Sequence, residues 1–240
     1  MREAGAIGSP VPAVSVRGLR KRFGYHDVLR GIDLDVPRGG CFAIYGHNGA
    51  GKSTFLRIVA GQWTYAEGTV RVLGLDMRRE SLEARARLGV VFHESFLRQE
   101  FTLDENLRFS CDLHGLRFRD VAARAEGLLD RFGLAPRRHD RVGTFSQGMT
   151  RRASIVRSLL HGPELWLLDE PFSGLDPAGQ ELLKGMIRDF AACGTVLLVT
   201  HDLALGAELA GVSACFADGA LAAGGAGASP CESPGREGAP

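Results

Sequence analysis

Apolar residues along this chain change period several times, and each change predicts a different kind of element. Ile32, Leu34 and Val36 alternate with Asp33 and Asp35 before the turn Pro37-Arg38-Gly39-Gly40, the period-two pattern of a strand with one wet and one buried face. That strand predicts a small antiparallel β-subdomain near the N-terminus, including Gly68 to Leu73. Cys41 to Tyr45, Leu88 to Phe92, Leu165 to Leu168 and Thr195 to Thr200 are apolar without alternation, as expected where a parallel sheet is covered on both faces. From about Leu103 to Leu134, leucines and phenylalanines return at helical spacing among Arg, Asp and Glu. This stretch predicts a helical subdomain, about 94–160 with its flanks, inserted between core strands. The fold class is therefore α/β: a core of mainly parallel sheet with an N-terminal antiparallel β-subdomain and an inserted helical lobe.

Composition narrows the setting more than the fold. With 240 residues, 45% hydrophobic and 24% charged, the chain has material for one large domain, placed at 14–224. The flanks 1–13 and 225–240 are rich in Gly, Ala, Ser and Pro and are expected to be flexible tails. Twenty-nine basic against 28 acidic residues leave a net charge of +1, so no bulk field draws the molecule to nucleic acid, and no nucleic-acid partner is expected. No apolar run approaches the roughly 18–20 residues of a membrane span, and the stretch from Ala4 to Val16 is broken by Pro10 and Pro12; an integral or secreted protein is not expected. Cys41, Cys111, Cys193, Cys215 and Cys231 form no CxxC pair, which fits a reducing cytosol.

The chemistry begins just after the first of the non-alternating runs. Gly46-His47-Asn48-Gly49-Ala50-Gly51-Lys52-Ser53-Thr54 follows a strand and precedes the helical spacing Phe55, Leu56, Ile58, Val59, the context a phosphate-binding P-loop requires. Glycines let backbone N–H groups turn toward phosphate oxygens, the helix offers its positive end, Lys52 adds a point charge, and the Ser53 hydroxyl can ligate magnesium. A nucleoside triphosphate with Mg2+ is the expected ligand of such a P-loop NTPase core. The apolar run ending at Leu168 delivers Asp169 and Glu170 to the carboxyl edge of the sheet, where ligands bind. Asp169 is assigned to the metal through water. Glu170 is assigned to polarising the attacking water, a role worth about 10²- to 10⁴-fold in rate. Ser146 caps a helix beginning near Gln147, and Gly148 leaves bare backbone where an anion can approach.

With Ser146-Gln147-Gly148-Met149, Leu165 to Pro171, Ser173-Gly174-Leu175-Asp176 and Thr200-His201-Asp202 in this order, the chain resembles the ABC ATPase family over about Val14 to Gly224. The resemblance implies ATP hydrolysis by two such subunits packed head to tail, Ser146 and Gly148 of one facing the γ-phosphate held by the P-loop of the other. It further implies that Asp176 lies in the loop linking the two sites, that His201 contacts the γ-phosphate and orients water and Glu170, and that Phe23, or else Tyr25, stacks on adenine. Integral membrane permease subunits are the implied partners, with this subunit cytoplasmic and peripheral on the inner membrane. Soluble family members acting in translation or DNA repair are an alternative.

Two segments depart from the family pattern. His93-Glu94 stands where a glutamine is usual, so the contact to magnesium and attacking water falls to His93, whose imidazole can gain a proton near neutral pH. Gln147 and Met149 replace a glycine and a glutamine while Ser146 and Gly148 are kept. The His93 to Leu97 loop, the Phe101 to Leu107 helix start and the overall brevity look like small exporter ATPases, most similar to the haem exporter of cytochrome c biogenesis. A drug, lipid or polysaccharide exporter is the alternative on the same texture.

Overall fold

The computed structural model describes residues 11–222; most of the N-terminal tail and all of the C-terminal tail expected above lie outside them. In chain order the elements are β1 (Val14–Phe23), β2 (His26–Val36), β3 (Gly40–Gly46), α1 (Lys52–Val59), β4 (Glu67–Val72), β5 (Leu75–Asp76), α2 (Ser81–Ala86), β6 (Leu88–Val91), α3 (Leu103–Leu113), α4 (Phe118–Arg131), α5 (Gln147–Leu159), β7 (Leu165–Asp169), α6 (Pro177–Ala191), β8 (Thr195–Val199), α7 (Leu203–Leu209), β9 (Val212–Ala217) and β10 (Ala220–Ala222). Four strands form an antiparallel sheet of order β2-β1-β4-β5. Six form a second sheet of order β10-β9-β3-β8-β7-β6, parallel except for β10. The α/β class expected from the sequence is the observed one.

Two apolar layers explain why the core strands lack alternation. Leu165 and Leu167 of β7, with Leu197 and Val199 of β8, pack toward α1 and the antiparallel sheet. Trp166, Leu168, Val196 and Leu198 pack the other way, against α3 to α6. Every side chain of β7 and β8 is thus buried, each large aliphatic contributing about 1.5–3 kcal/mol relative to exposure. The helical stretch opens on a capping box: Thr102 Oγ1 accepts from the Glu105 backbone N–H at 3.2 Å, and Glu105 Oε2 accepts from the Thr102 N–H at 2.8 Å. Both orphan donors are satisfied reciprocally, which starts α3 at Leu103.

Where the helices meet the core, the rings of His114 and His161 stack with centroids 4.1 Å apart. His161 Nε2 lies 3.0 Å from the Leu88 carbonyl oxygen, and its buried Nδ1 has no partner. Burial, then the neighbouring His114, pushes the His161 imidazole down to about 4. The unfolded chain, with an ordinary histidine near 6.5, therefore binds the proton first as pH falls. Stability from this group is full above about pH 6.5 and is lost through pH 4, on the order of 3 kcal/mol. Denaturant unfolding of the wild type and of His161→Phe at pH 7 and pH 4.5 should show the smaller loss on acidification in the variant; equal losses would remove His161 from the account.

Candidate active site

The phosphate loop is bent by glycines that have no substitute. Gly46 adopts φ +153, and a Cβ there would lie 2.5 Å from the Phe216 carbonyl oxygen of β9; Gly51 adopts φ +100 beside Leu29 and Val28 of β2. Both sheets thus press on the loop, with His47, Asn48 and Gly49 exposed and Ala50 buried. His47 Nε2 lies 3.5 Å from Asp218 Oδ1. Lys52 opens α1, is buried, and folds back to donate to the Gly46 oxygen at 2.6 Å and the His47 oxygen at 3.0 Å. Desolvation lowers its pKa, against the charges of Glu170 and Asp169. Ser53 and Thr54 complete the first turn of α1.

Asp169 ends β7 almost fully buried, and Ser53 Oγ donates to its Oδ1 at 3.0 Å. Burial raises the pKa of this carboxyl, with the Ser53 bond opposing. A buried carboxylate joined to a hydroxyl is a hard oxygen pair suited to Mg2+. Among the described residues no three His, Cys, Asp or Glu side chains converge as a metal cage. Magnesium commonly takes one or two protein oxygens together with phosphate and water.

Glu170, the next residue, has φ +47, a conformation costing a non-glycine residue about 1–3 kcal/mol and found chiefly at functional sites. The surroundings hold it there. Its N–H donates to the Val199 oxygen at 2.9 Å, and Arg151 Nη2 donates to its carbonyl at 2.8 Å. On the side chain, His201 Nδ1 lies 2.9 Å from Oε1 and Thr200 Oγ1 donates to Oε2 at 3.4 Å. The structure thus brings Lys52 and Ser53, at the start of α1, together with Asp169, Glu170 and His201, at and just beyond the ends of the adjacent strands β7 and β8.

The remaining candidates lie on other elements. Ser146 is exposed and caps α5, its Oγ accepting from the Met149 N–H at 3.2 Å. Gly148 packs against Gly174, whose carbonyl oxygen would be 3.0 Å from an added Cβ. Asp176 caps α6 through the Gly179 N–H and pairs with Arg152, linking α5 to that loop. His93 is exposed and lines a cleft of about 260 Å³ with Gln147, Thr150, Arg151 and Ser173. Phe23 sits at the tip of the β1–β2 hairpin, 43% exposed, with Lys21 Nζ 4.7 Å from its ring centroid; Tyr25 is wholly exposed.

Arg151, on α5 near the signature segment, is a structural clasp. Buried, it donates to the Phe92 oxygen at 2.6 Å, the Glu170 oxygen at 2.8 Å and the Ser173 oxygen at 3.4 Å. It so ties α5 to the ends of β6 and β7. Its partners lie far away in sequence, and no local pattern announces them.

A phosphate-binding loop, an exposed serine hydroxyl joined to a buried carboxylate and a restrained glutamate at the carboxyl edge of a parallel sheet define a P-loop nucleoside-triphosphatase. Residues 29–173 match the family described as ABC transporter. The chain is 39% identical over 196 residues to Nod factor export ATP-binding protein I of Ralstonia nicotianae, covering 81% of this chain and 61% of that protein. It is 38% identical over 188 residues to the daunorubicin resistance ATP-binding protein DrrA3 of Streptomyces coeruleorubidus, covering 78% and 60%. With the linearmycin resistance ATP-binding protein LnrL of Bacillus subtilis it shares 32% identity over 189 residues, covering 78% and 61%. The chain thus spans about three fifths of the length of these relatives. A solved structure titled "Structure of ATP binding subunit of ABC transporter" superposes with a TM-score of 0.84 at 29% identity, covering 90% of this chain and 95% of that one. The chain belongs to the ABC transporter family and carries its ATPase domain.

Proposed function

We propose that this protein powers an ABC exporter as one of two head-to-tail ATPase subunits beneath a membrane permease. The observation that carries the chemistry is the Lys52, Ser53, Asp169, Glu170 and His201 cluster at one sheet edge. ATP phosphates would lie in the Gly46 to Thr54 cradle, with Lys52 turning from the loop carbonyls to the phosphate oxygens. Magnesium, when bound, supplies neutralisation of phosphate charge, held by Ser53 and through water by Asp169. Glu170 would take the proton of the attacking water, and His201 would hold Glu170 and meet the γ-phosphate. His93 would reach the same water and metal from its exposed loop, while Phe23, or Tyr25, stacks on the adenine.

An exposed Ser146, whose hydroxyl bonds within its own cap, is free to face a second copy, so Ser146 and Gly148 would complete that copy's phosphate site. Asp176 would lie between the two sites. For the permease, a cleft of about 690 Å³ between α2 and the α3–α5 helices offers Leu82, Phe96 and Leu113, which are 75%, 51% and 71% exposed. No helix among the described residues is long and apolar enough to cross a membrane, so the pore would come from that partner, with this subunit cytoplasmic and peripheral on the inner membrane. The helical region 94–160 would pass motion to it.

For cargo, the relatives named for Nod factor export and for daunorubicin and linearmycin resistance favour a drug-like or lipid-like organic compound. Haem export for cytochrome c biogenesis rests on loop texture alone and draws no support from them. Solubilising tagged protein from its native membranes in mild detergent should recover a permease together with Mg2+-dependent ATPase activity. Recovery with ribosomes or DNA and no membrane subunit would overturn the transport reading.

A further inference from the structure

Behind Phe23 the structure holds an unbroken line of ring and guanidinium contacts. Phe23 meets Trp63 edge to face, with centroids 5.2 Å apart. The Arg57 guanidinium lies 5.1 Å from the centroid of the Trp63 ring and 4.8 Å from that of the Phe92 ring. Arg57 also pairs with Glu94, the residue after His93. Lys21 fastens the hairpin to the same segment, donating to the Thr64 oxygen at 2.7 Å. At the far end Phe92 meets Phe96, whose positive φ of 52 turns it outward into the cleft beside Leu113.

Arg57 belongs to the last turn of α1, the helix whose first turn is Lys52 and Ser53. It is nearly enclosed, with 15% of its side chain exposed, and its guanidinium meets two aromatic rings as well as a carboxylate, a combination a lysine reproduces poorly. Phe23 pairs with His26 in register, two residues along β2 from Val28, which abuts Gly51 of the phosphate loop. The hairpin tip therefore lies about 7 Å along the strand from the phosphate cradle, within reach of the base of a nucleotide bound there.

We propose that Trp63 and Arg57 are positioning residues that join the nucleotide-base site to the His93–Glu94 loop, so that a bound purine, as distinct from bound phosphates alone, sets the position of that loop. This rests on the reading of Phe23 as the base-stacking residue. Phosphates reach the loop through the catalytic cluster and along α1; the base adds a separate entry to Arg57 and Glu94, through Phe23 and Trp63. Glu94→Gln removes the ion pair at an exposed carboxylate and leaves the ring contacts, whereas Arg57→Met removes both.

The test uses the full chain with ATP or with tripolyphosphate, each with magnesium at saturation. The emission difference between wild type and Trp63→Phe isolates Trp63 from the buried Trp166, and hydrogen exchange at residues 93–97 reports the loop. ATP should change Trp63 emission and protect the loop about fivefold more than tripolyphosphate does. In Arg57→Met and Glu94→Gln that excess should vanish while ATP affinity stays within about threefold, since coupling energies of this kind are small beside binding. Emission indifferent to ATP would remove the base-site reading and the proposal with it. Emission that responds while the loop protects equally with both ligands, or keeps its excess in both variants, would overturn the relay and leave the base site standing.

Discussion

Replacing Glu170 with glutamine is expected to lower ATP turnover by about 10²- to 10⁴-fold while ATP affinity stays nearly unchanged. The backbone at Glu170 is held by bonds from Arg151 and to Val199, neither of which uses the carboxylate. The amide keeps the side chain's shape and can still meet His201 and Thr200, so the strained φ and the neighbouring phosphate loop survive. What is lost is the capacity to accept a proton from water. Because the proposed dimer opens only after hydrolysis, the variant should accumulate as an ATP-bound pair. Steady-state turnover and equilibrium nucleotide titration separate the two effects; turnover within a few-fold of wild type would remove Glu170 from the role of base.

Lys52→Ala should fail at the earlier step. Lys52 is buried and makes two charge-assisted bonds to the loop it will share with phosphate. Removing it deletes the local cation and leaves the Gly46 and His47 oxygens facing the incoming anion. Hydrogen bonds to charged groups contribute about 1.5–3 kcal/mol each, so ATP should bind roughly 10- to 100-fold more weakly. Calorimetric titration with Mg·ATP is the check, with thermal unfolding alongside to show that the loop still folds. Unchanged affinity would mean that the phosphate site lies elsewhere.

The phosphate loop and the Asp169–Glu170 pair were legible because each is written in adjacent residues next to an apolar run. The four non-alternating runs gave β3, β6, β7 and β8 for the same reason: burial on both faces leaves a continuous apolar signature. β9 was missed. Its residues Val212 to Cys215 are only half-buried, and Phe216 alone is fully enclosed, so neither alternation nor a solid run appears. Yet β9 supplies the Phe216 carbonyl that forces glycine at position 46.

Long-range side-chain work was equally hidden. Arg151 clasps carbonyls 59, 19 and 22 residues away, and Arg57 meets Glu94 at a separation of 37. Each reads in isolation as one more basic residue on a helix. His93 was legible as a departure from the family pattern, but its cleft beside Gln147 and Arg151 emerges only from the packing of α5 against β6.

Two subunits with two composite sites form the central claim, and association of Glu170→Gln tests it most directly. Analytical ultracentrifugation of the purified variant should show a monomer with ADP and a dimer with Mg·ATP, and the dimer should disperse when Ser146 is also replaced by arginine. ATP binding at full stoichiometry with no change in sedimentation, or a dimer indifferent to the Ser146 substitution, would contradict the head-to-tail arrangement.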